Sequence, residues 1–235
     1  MIHTNLRVAV LDVDGTMLRG SLGLRLIDQL HKEGLGAPTA IDGVMSTIQR
    51  YRGGSLSYEE MVKSATDGYT AAIQGLEVAT VERIAAALWA ELADELFPFV
   101  QPMIAKLRRH GLRPVIISSS PTAIVLQLAR ALGIADATGS VFATAQGRYL
   151  DRCELMPGSP GGKLRALRRV VGEEVDLAGS FALGNAQSDV CILEVVGKPL
   201  AFEPTPELAA AAAQGGWAVA DRGGLLETLD ALFAA

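Results

Sequence analysis

The chain has 235 residues, 49% of them apolar, which is enough for a large buried core with an inserted smaller unit. Its formal charge of −5 comes from acidic and basic residues mixed along the chain. No dense basic run tracks a phosphate backbone or an anionic lipid surface, so neither nucleic acid nor membrane is expected as a partner. Cys153 and Cys191 fit neither a CxxC metal pair nor a disulfide framework, and no export signal is visible, which together point to a cytoplasmic protein.

In chain order, the first element is the apolar run Val8 to Leu11, which stops at the polar turn Asp12-Val13-Asp14-Gly15-Thr16 and reads as a buried central strand of a parallel sheet. From about Arg19 to Leu96 the pattern is helical throughout. Leu22, Leu26 and Leu30 share one face of a first helix, and Ile41, Val44, Met45 and Ile48 one face of a second. Ser57 and Glu60 form a capping box that opens a third helix, with Val62, Ala65, Tyr69 and Ile73 as its buried face. Val81, Ile84, Leu88, Leu92 and Leu96 line a fourth, and the charges at Glu82, Arg83, Glu91, Asp94 and Glu95 rule it out as a lipid-facing span. Beyond it, Val100, Ile104 and Leu107 mark a helix ended by Gly111. Pro114 to Ile117 reads as a second strand ending in Ser118-Ser119-Ser120-Pro121, with a helix through Ile124, Leu128 and Leu132 after it. Lys163 enters a helix bearing Leu164, Leu167 and Val171, Ser180 to Leu183 is a third strand ending in Gly184-Asn185, and Ala209 to Ala213 belongs to a helix.

Strands alternating with helices predict an α/β fold, a doubly wound Rossmann-like parallel sheet with an inserted α-helical cap. The expected division is a core of residues 1–18 and 97–235 and a cap of residues 19–96. Ligands of such sheets bind outside the carboxyl ends of the strands, where the three polar turns converge.

Asp12 and Asp14 stand two apart at the first of those ends. One carboxylate can accept a phosphoryl group while the other donates a proton to the leaving oxygen and then takes one from water. Taken alone, the pair also fits an ordinary Asp-Gly turn that caps backbone amides. Ser118, Ser119 and Ser120 close the second strand, and Ser120 can cap the helix that begins near Pro121. Lys163 lies at the end of its helix where the dipole disfavours a cation, so a local structural role explains it poorly.

The sequence Asp12 through Thr16 resembles the first motif, DxDGT, of the haloacid dehalogenase superfamily. The phosphoserine phosphatase-like branch, with a cap between the first and second motifs, is the most similar in outline. The resemblance implies a magnesium-dependent phosphatase that acts on a small phosphorylated metabolite through an aspartyl-phosphate on Asp12, as a monomer or homodimer. Asp14 would be the acid and base, Lys163 after Gly161-Gly162 would neutralise the phosphate, and Ser118, with Ser119 and Ser120 as close rivals, would hydrogen-bond a phosphate oxygen. Asp12, the Asp14 carbonyl and Asn185 would hold the metal, and Asp189 would support them. Relatives usually carry aspartate where this chain has Asn185, which implies weaker magnesium binding here. True phosphoserine phosphatases place an acidic residue shortly after the first motif, where this chain reads Met17-Leu18-Arg19-Gly20, which argues against that substrate. Arg19 would suit an additional acid group on the substrate, and Arg50, Tyr51, Arg52, Tyr58 and Tyr69 are further cap candidates. Two other readings share these residues: a phosphate-binding regulatory protein with catalysis impaired by Asn185, and a phosphomutase of the same superfamily.

Overall fold

The computed structural model describes residues 6–234, so the outer ends of the expected core, residues 1–5 and 235, lie outside the description. Val8–Leu11 forms β1, and its residues are buried on both sides, which is why the run is apolar without alternation. Ala9 and Leu11 join the apolar cluster on one face of the sheet, while Val8 and Val10 join the cluster on the other. β1 is paired in parallel with β2 (Arg113–Pro121) on one side and β5 (Phe181–Gly184) on the other, with Leu11 opposite Ile116 and Leu183. With β3 (Asp136–Ala145), β4 (Arg148–Leu155), β6 (Lys198–Phe202) and β7 (Ala218–Ala220), the seven-stranded sheet has the order β4-β3-β2-β1-β5-β6-β7. The chain therefore winds outward in both directions from β1, and the switch point falls at the carboxyl end of β1, where Asp12 begins.

Four helices are inserted after β1: α1 (Leu22–Lys32), α2 (Pro38–Arg52), α3 (Tyr58–Ile73) and α4 (Val78–Leu92). α3 opens on the expected capping box, with Glu60 accepting from the Ser57 amide at 2.9 Å and Ser57 Oγ accepting from the Glu60 amide at 3.3 Å. The two strands of chain that enter and leave the insertion lie side by side, with Leu18 bridged to Leu96 and the Phe97 amide donating to the Met17 carbonyl at 2.8 Å. The insertion is not loosely attached, because one apolar cluster runs from Leu26, Ile41 and Ile84 through Ile116, Ile124 and Phe181. The helices α5 (Val100–Arg109) and α6 (Thr122–Ala131) cover this face of the sheet together with α10 (Leu225–Ala234). Behind the opposite face lie α7 (Gly162–Val171), α8 (Val190–Leu193) and α9 (Pro206–Gly215).

The structure departs from the sequence expectations in several places. β2 continues through the serines to Pro121, with a register irregularity between Ile117 and Pro121 where it pairs with β3. β4 runs antiparallel to β3, through a turn at Gln146 and Gly147 in which both residues have positive φ. This hairpin carries no sequence expectation. The segment joining α3 to α4 covers the open edge of β4: the Gly75 amide donates to the Tyr149 carbonyl at 2.9 Å, and the Tyr149 amide donates to the Leu76 carbonyl at 3.0 Å. Met45, expected on the buried face of α2, is 39% exposed, and Thr47 is buried in its stead. Val62 and Ala65 are only half-buried, because their side of α3 faces a cavity instead of a packed neighbour.

Candidate active site

The carboxyl end of β1 holds Asp12 almost out of solvent. Lys163 Nζ donates to Asp12 Oδ1 at 2.6 Å, and Thr16 Oγ1 donates to Asp12 Oδ2 at 2.7 Å, so each carboxylate oxygen has a fixed partner. Lys163 is 1% exposed and also makes a close ion pair with Asp189. Burial works against a charged ammonium, but the carboxylates of Asp12 and Asp189 outweigh it and hold the Lys163 pKa above its usual value. Burial and the Asp12 charge push the Asp189 carboxyl upward, and Lys163 counters them. The second oxygen of Asp189 accepts from the amides of Asn185 and Ala186, both at 3.0 Å, which pins the loop after β5 to the lysine.

Lys163 reaches this position because of glycine. Gly161 takes up φ 66°, and a β-carbon on Gly162 would collide with the carbonyls of Met156 and Pro157. The first turn of α7 can therefore lie flat against the preceding loop and aim the ammonium at β1.

Asp14 faces the other way. Its Oδ2 accepts from Ser118 Oγ at 2.8 Å and Ser120 Oγ at 2.7 Å, and its Oδ1 accepts from the Leu22 amide at 2.7 Å. The next amide of α1, that of Gly23, donates to Ser120 Oγ at 2.7 Å. Two of the amides left unpaired by the start of α1 are thus met by strand-end side chains, while Ser21 supplies the ordinary N-cap to Leu24. Ser120 does not cap the helix that follows it, since α6 begins after Pro121 without a side-chain cap. Burial, and then the Asp12 charge, raise the Asp14 pKa against the lowering effect of the serine and amide hydrogen bonds, so this carboxyl keeps its proton to higher pH than a free aspartate.

Asp12, Asp14, Ser118, Lys163, Asn185 and Asp189 therefore gather at the carboxyl ends of β1, β2 and β5 and the start of α7. Ser118 is fully buried and occupied with Asp14, whereas Ser119 is exposed on a cavity wall. Arg19 is not brought in. It is exposed, its carbonyl accepts from Arg25, and it does not line the cavity. Arg50 is also exposed and off the wall, while Tyr51, Arg52, Tyr58 and Tyr69 are on it. The part played by Thr16 was visible only as a motif letter, and its bond to Asp12 is a contact across one tight turn.

Among the described residues, no group of three or more His, Cys, Asp or Glu side chains converges as a metal cage. The donors present are oxygens: the Asp12 carboxylate, the Asp14 carbonyl, on which no hydrogen bond falls among the described residues, and the Asn185 amide. That amide lies over Gly15 (φ 81°), where a β-carbon would strike it. Oxygen donors with one formal charge fit a hard divalent cation that keeps part of its water shell.

Above the strand ends lies a cavity of about 440 Å³, floored by Asp14, Gly15, Ser119 and Ser120 and walled by the insertion, β3 and the loop after β4. Asp12, Lys163, Ser118 and Asn185 do not line it, but Asp12 and Ser118 are joined to it through Asp14, the neighbour of Asp12 on the same turn and the acceptor of Ser118. A second space of about 470 Å³ shares Tyr51, Arg52, Tyr58 and Gln187 with it. Tyr58 joins the insertion to the core, donating from its hydroxyl to the Gly158 carbonyl at 2.9 Å, and burial pushes its pKa up to about 12.

A doubly wound sheet whose switch point presents a lysine-clamped aspartate beneath a helical insertion defines an α/β core with a buried, paired carboxylate where ligands of such sheets bind. The family described as haloacid dehalogenase-like hydrolase matches residues 9–194, and the chain belongs to it. It is similar to a phosphoserine phosphatase of Streptomyces coelicolor, 25% identical over 207 residues that cover 88% of this chain and 46% of that protein. The chain thus spans less than half the length of that relative. A phosphoserine phosphatase of Mycobacterium tuberculosis is 24% identical over 217 residues, covering 91% of this chain and 70% of that one. Among solved structures, a protein of unknown function from Bordetella pertussis matches with a TM-score of 0.77 at 22% identity, over 93% of this chain and all of that one. A substrate-bound phosphoserine phosphatase matches at 0.62 with 15% identity, over 89% and 91% of the two chains. At these identities the structural matches establish the fold. No helix among the described residues is long and apolar enough to cross a membrane.

Proposed function

We propose that the protein is a phosphatase that hydrolyses a small phosphomonoester through an aspartyl-phosphate on Asp12. The observation that carries this reading is the Asp12 carboxylate, fixed by Lys163 at 2.6 Å and Thr16 at 2.7 Å at the switch point of the sheet. A carboxylate held in one orientation loses little freedom on attack, and Lys163 beside it offsets the charge of the incoming phosphate. Asp12 attacks phosphorus, the ester P–O bond breaks, and Asp14 gives its proton to the departing alkoxide. Water then attacks the aspartyl-phosphate, Asp14 takes a proton from it, and Asp12 is released with inorganic phosphate. The raised pKa of Asp14 suits the first of these proton transfers.

Ser119, exposed on the cavity floor, and Ser118 behind it supply hydroxyls near the phosphate. Magnesium, held by Asp12, the Asp14 carbonyl and Asn185, would polarise the phosphoryl oxygens. Residues 19–96 serve as a cap that keeps bulk water from the intermediate, over a core of 1–18 and 97–235. The test is phosphate release from an aryl phosphate, with and without magnesium, by the wild type and Asp12→Asn. Continued metal-dependent release by Asp12→Asn would overturn the assignment.

A further inference from the structure

We infer that the alcohol part of the substrate is bulky and apolar and carries no ammonium group. This inference rests on the phosphatase reading and specifies its substrate class.

The cavity of about 440 Å³ has room for roughly fifteen waters at about 30 Å³ each, far more than the side chain of a small amino acid would displace. Its wall is mostly carbon. Val44 and Ile48 of α2, Met61, Val62 and Ala65 of α3 and Phe142 of β3 line it. The apolar side of α3 here is left half-exposed instead of packed, so the fold keeps hydrophobic surface available in the cavity. Much of the polar content of the wall is already used within the protein. The Tyr58 hydroxyl donates to the Gly158 carbonyl at 2.9 Å, the Tyr69 hydroxyl to the Gly23 carbonyl at 3.3 Å, and Ser140 Oγ to the Ser119 carbonyl at 2.8 Å. What these side chains offer a ligand is therefore ring and methylene surface. Tyr69 is stacked on Phe142 with 5.4 Å between ring centroids, and the pair forms a flat apolar wall.

Charge points the same way. Asp14 is the one carboxylate among the lining residues, and its oxygens already accept from the Leu22 amide, Ser118 and Ser120. An ammonium in this chamber would find no carboxylate free to pair with it, and its desolvation would go uncompensated by an opposite charge. The one cation on the wall, Arg52, lies where the two spaces meet. A phosphomonoester of an aryl or branched-alkyl alcohol satisfies all of this: its phosphate meets the polar floor, and its hydrocarbon displaces water from the carbon wall.

The experiment is a comparison of kcat/KM for 1-naphthyl phosphate and geranyl phosphate against phosphoserine and glycerol phosphate, using the full chain with magnesium. Burial of the hydrocarbon predicts values roughly thirtyfold or more higher for the first pair. Ala65→Trp, which narrows the chamber, should cut the ratio of naphthyl to glycerol phosphate turnover by about tenfold, because the bulky substrate loses its space. Phosphoserine turned over as well as the apolar esters would overturn the inference and leave the phosphatase reading standing. If no ester is hydrolysed, the phosphatase reading fails by itself. The inference is then judged by calorimetry with naphthylmethylphosphonate, where binding no tighter than that of phosphonoserine overturns it.

Discussion

The strand ends and the chamber above them are built on opposite principles. At the strand ends every charged group has several partners: Lys163 has two carboxylates, Asp12 has an ammonium and a hydroxyl, and Asp14 has two hydroxyls and an amide. No buried side-chain nitrogen or oxygen among the described residues lacks a hydrogen bond. The chamber is bounded largely by side chains with no directional demands, with a few polar groups among them, of which Tyr58, Tyr69 and Ser140 are already occupied within the protein. Where contacts are directional and desolvated, one lost partner leaves another charge stranded, and the response to mutation is steep. Where they are dispersive, the response follows volume and area and is gradual.

The steepest response should come from Asp12→Asn, which removes the charge of the proposed nucleophile while keeping its shape. A loss on the order of 10⁴-fold in kcat is expected in a phosphate-release assay. Lys163→Met keeps the length of the side chain but leaves Asp12 and Asp189 facing each other in a buried site. Urea unfolding should record a stability loss of about 3–5 kcal/mol. A loss below about 1 kcal/mol would mean that the carboxylates relax into solvent and the polar region is less rigid than described. Asn185→Asp adds a charge to the oxygens proposed to hold magnesium and should lower the magnesium concentration for half-maximal activity by roughly tenfold, read from a metal titration of phosphate release. Ser120→Ala strips a hydroxyl from Asp14 and an acceptor from the Gly23 amide, and differential scanning calorimetry should show a cost of about 1–2 kcal/mol. The smallest effect belongs to the exposed start of α3. Ser57→Ala removes the capping box of α3 at a cost of about 1 kcal/mol in the same measurement, with kcat unchanged.

How far each region could be read in the sequence follows the same contrast. β1, α5, α6 and the four inserted helices were legible because each is a local period: a buried run, or an apolar side repeating at helical spacing. The capping box of α3 was legible for the same reason, since Ser57 and Glu60 meet within one turn. The β3–β4 hairpin was not. Its turn places Gln146, a residue with little preference for positive φ, where Asn or Asp would have announced a two-residue turn. The short β7 has a partly exposed face and carries almost no pattern. Arg19 looked suitable as a substrate contact because of its position after the motif, but the chain turns there and the side chain faces solvent.

By itself the sequence determined the kind of sheet, the number of inserted helices and the acidic turn with its serines, glycine-borne lysine and asparagine loop, because each is a matter of neighbours along the chain. The tertiary structure alone decided that Lys163 sits between Asp12 and Asp189, and that Asp14 and Ser120 hold the start of α1. It also decided that Val62 and Ala65 line a chamber instead of a core. Periodicity says that a side chain leaves the water, but what it meets there depends on how elements a hundred residues apart are stacked.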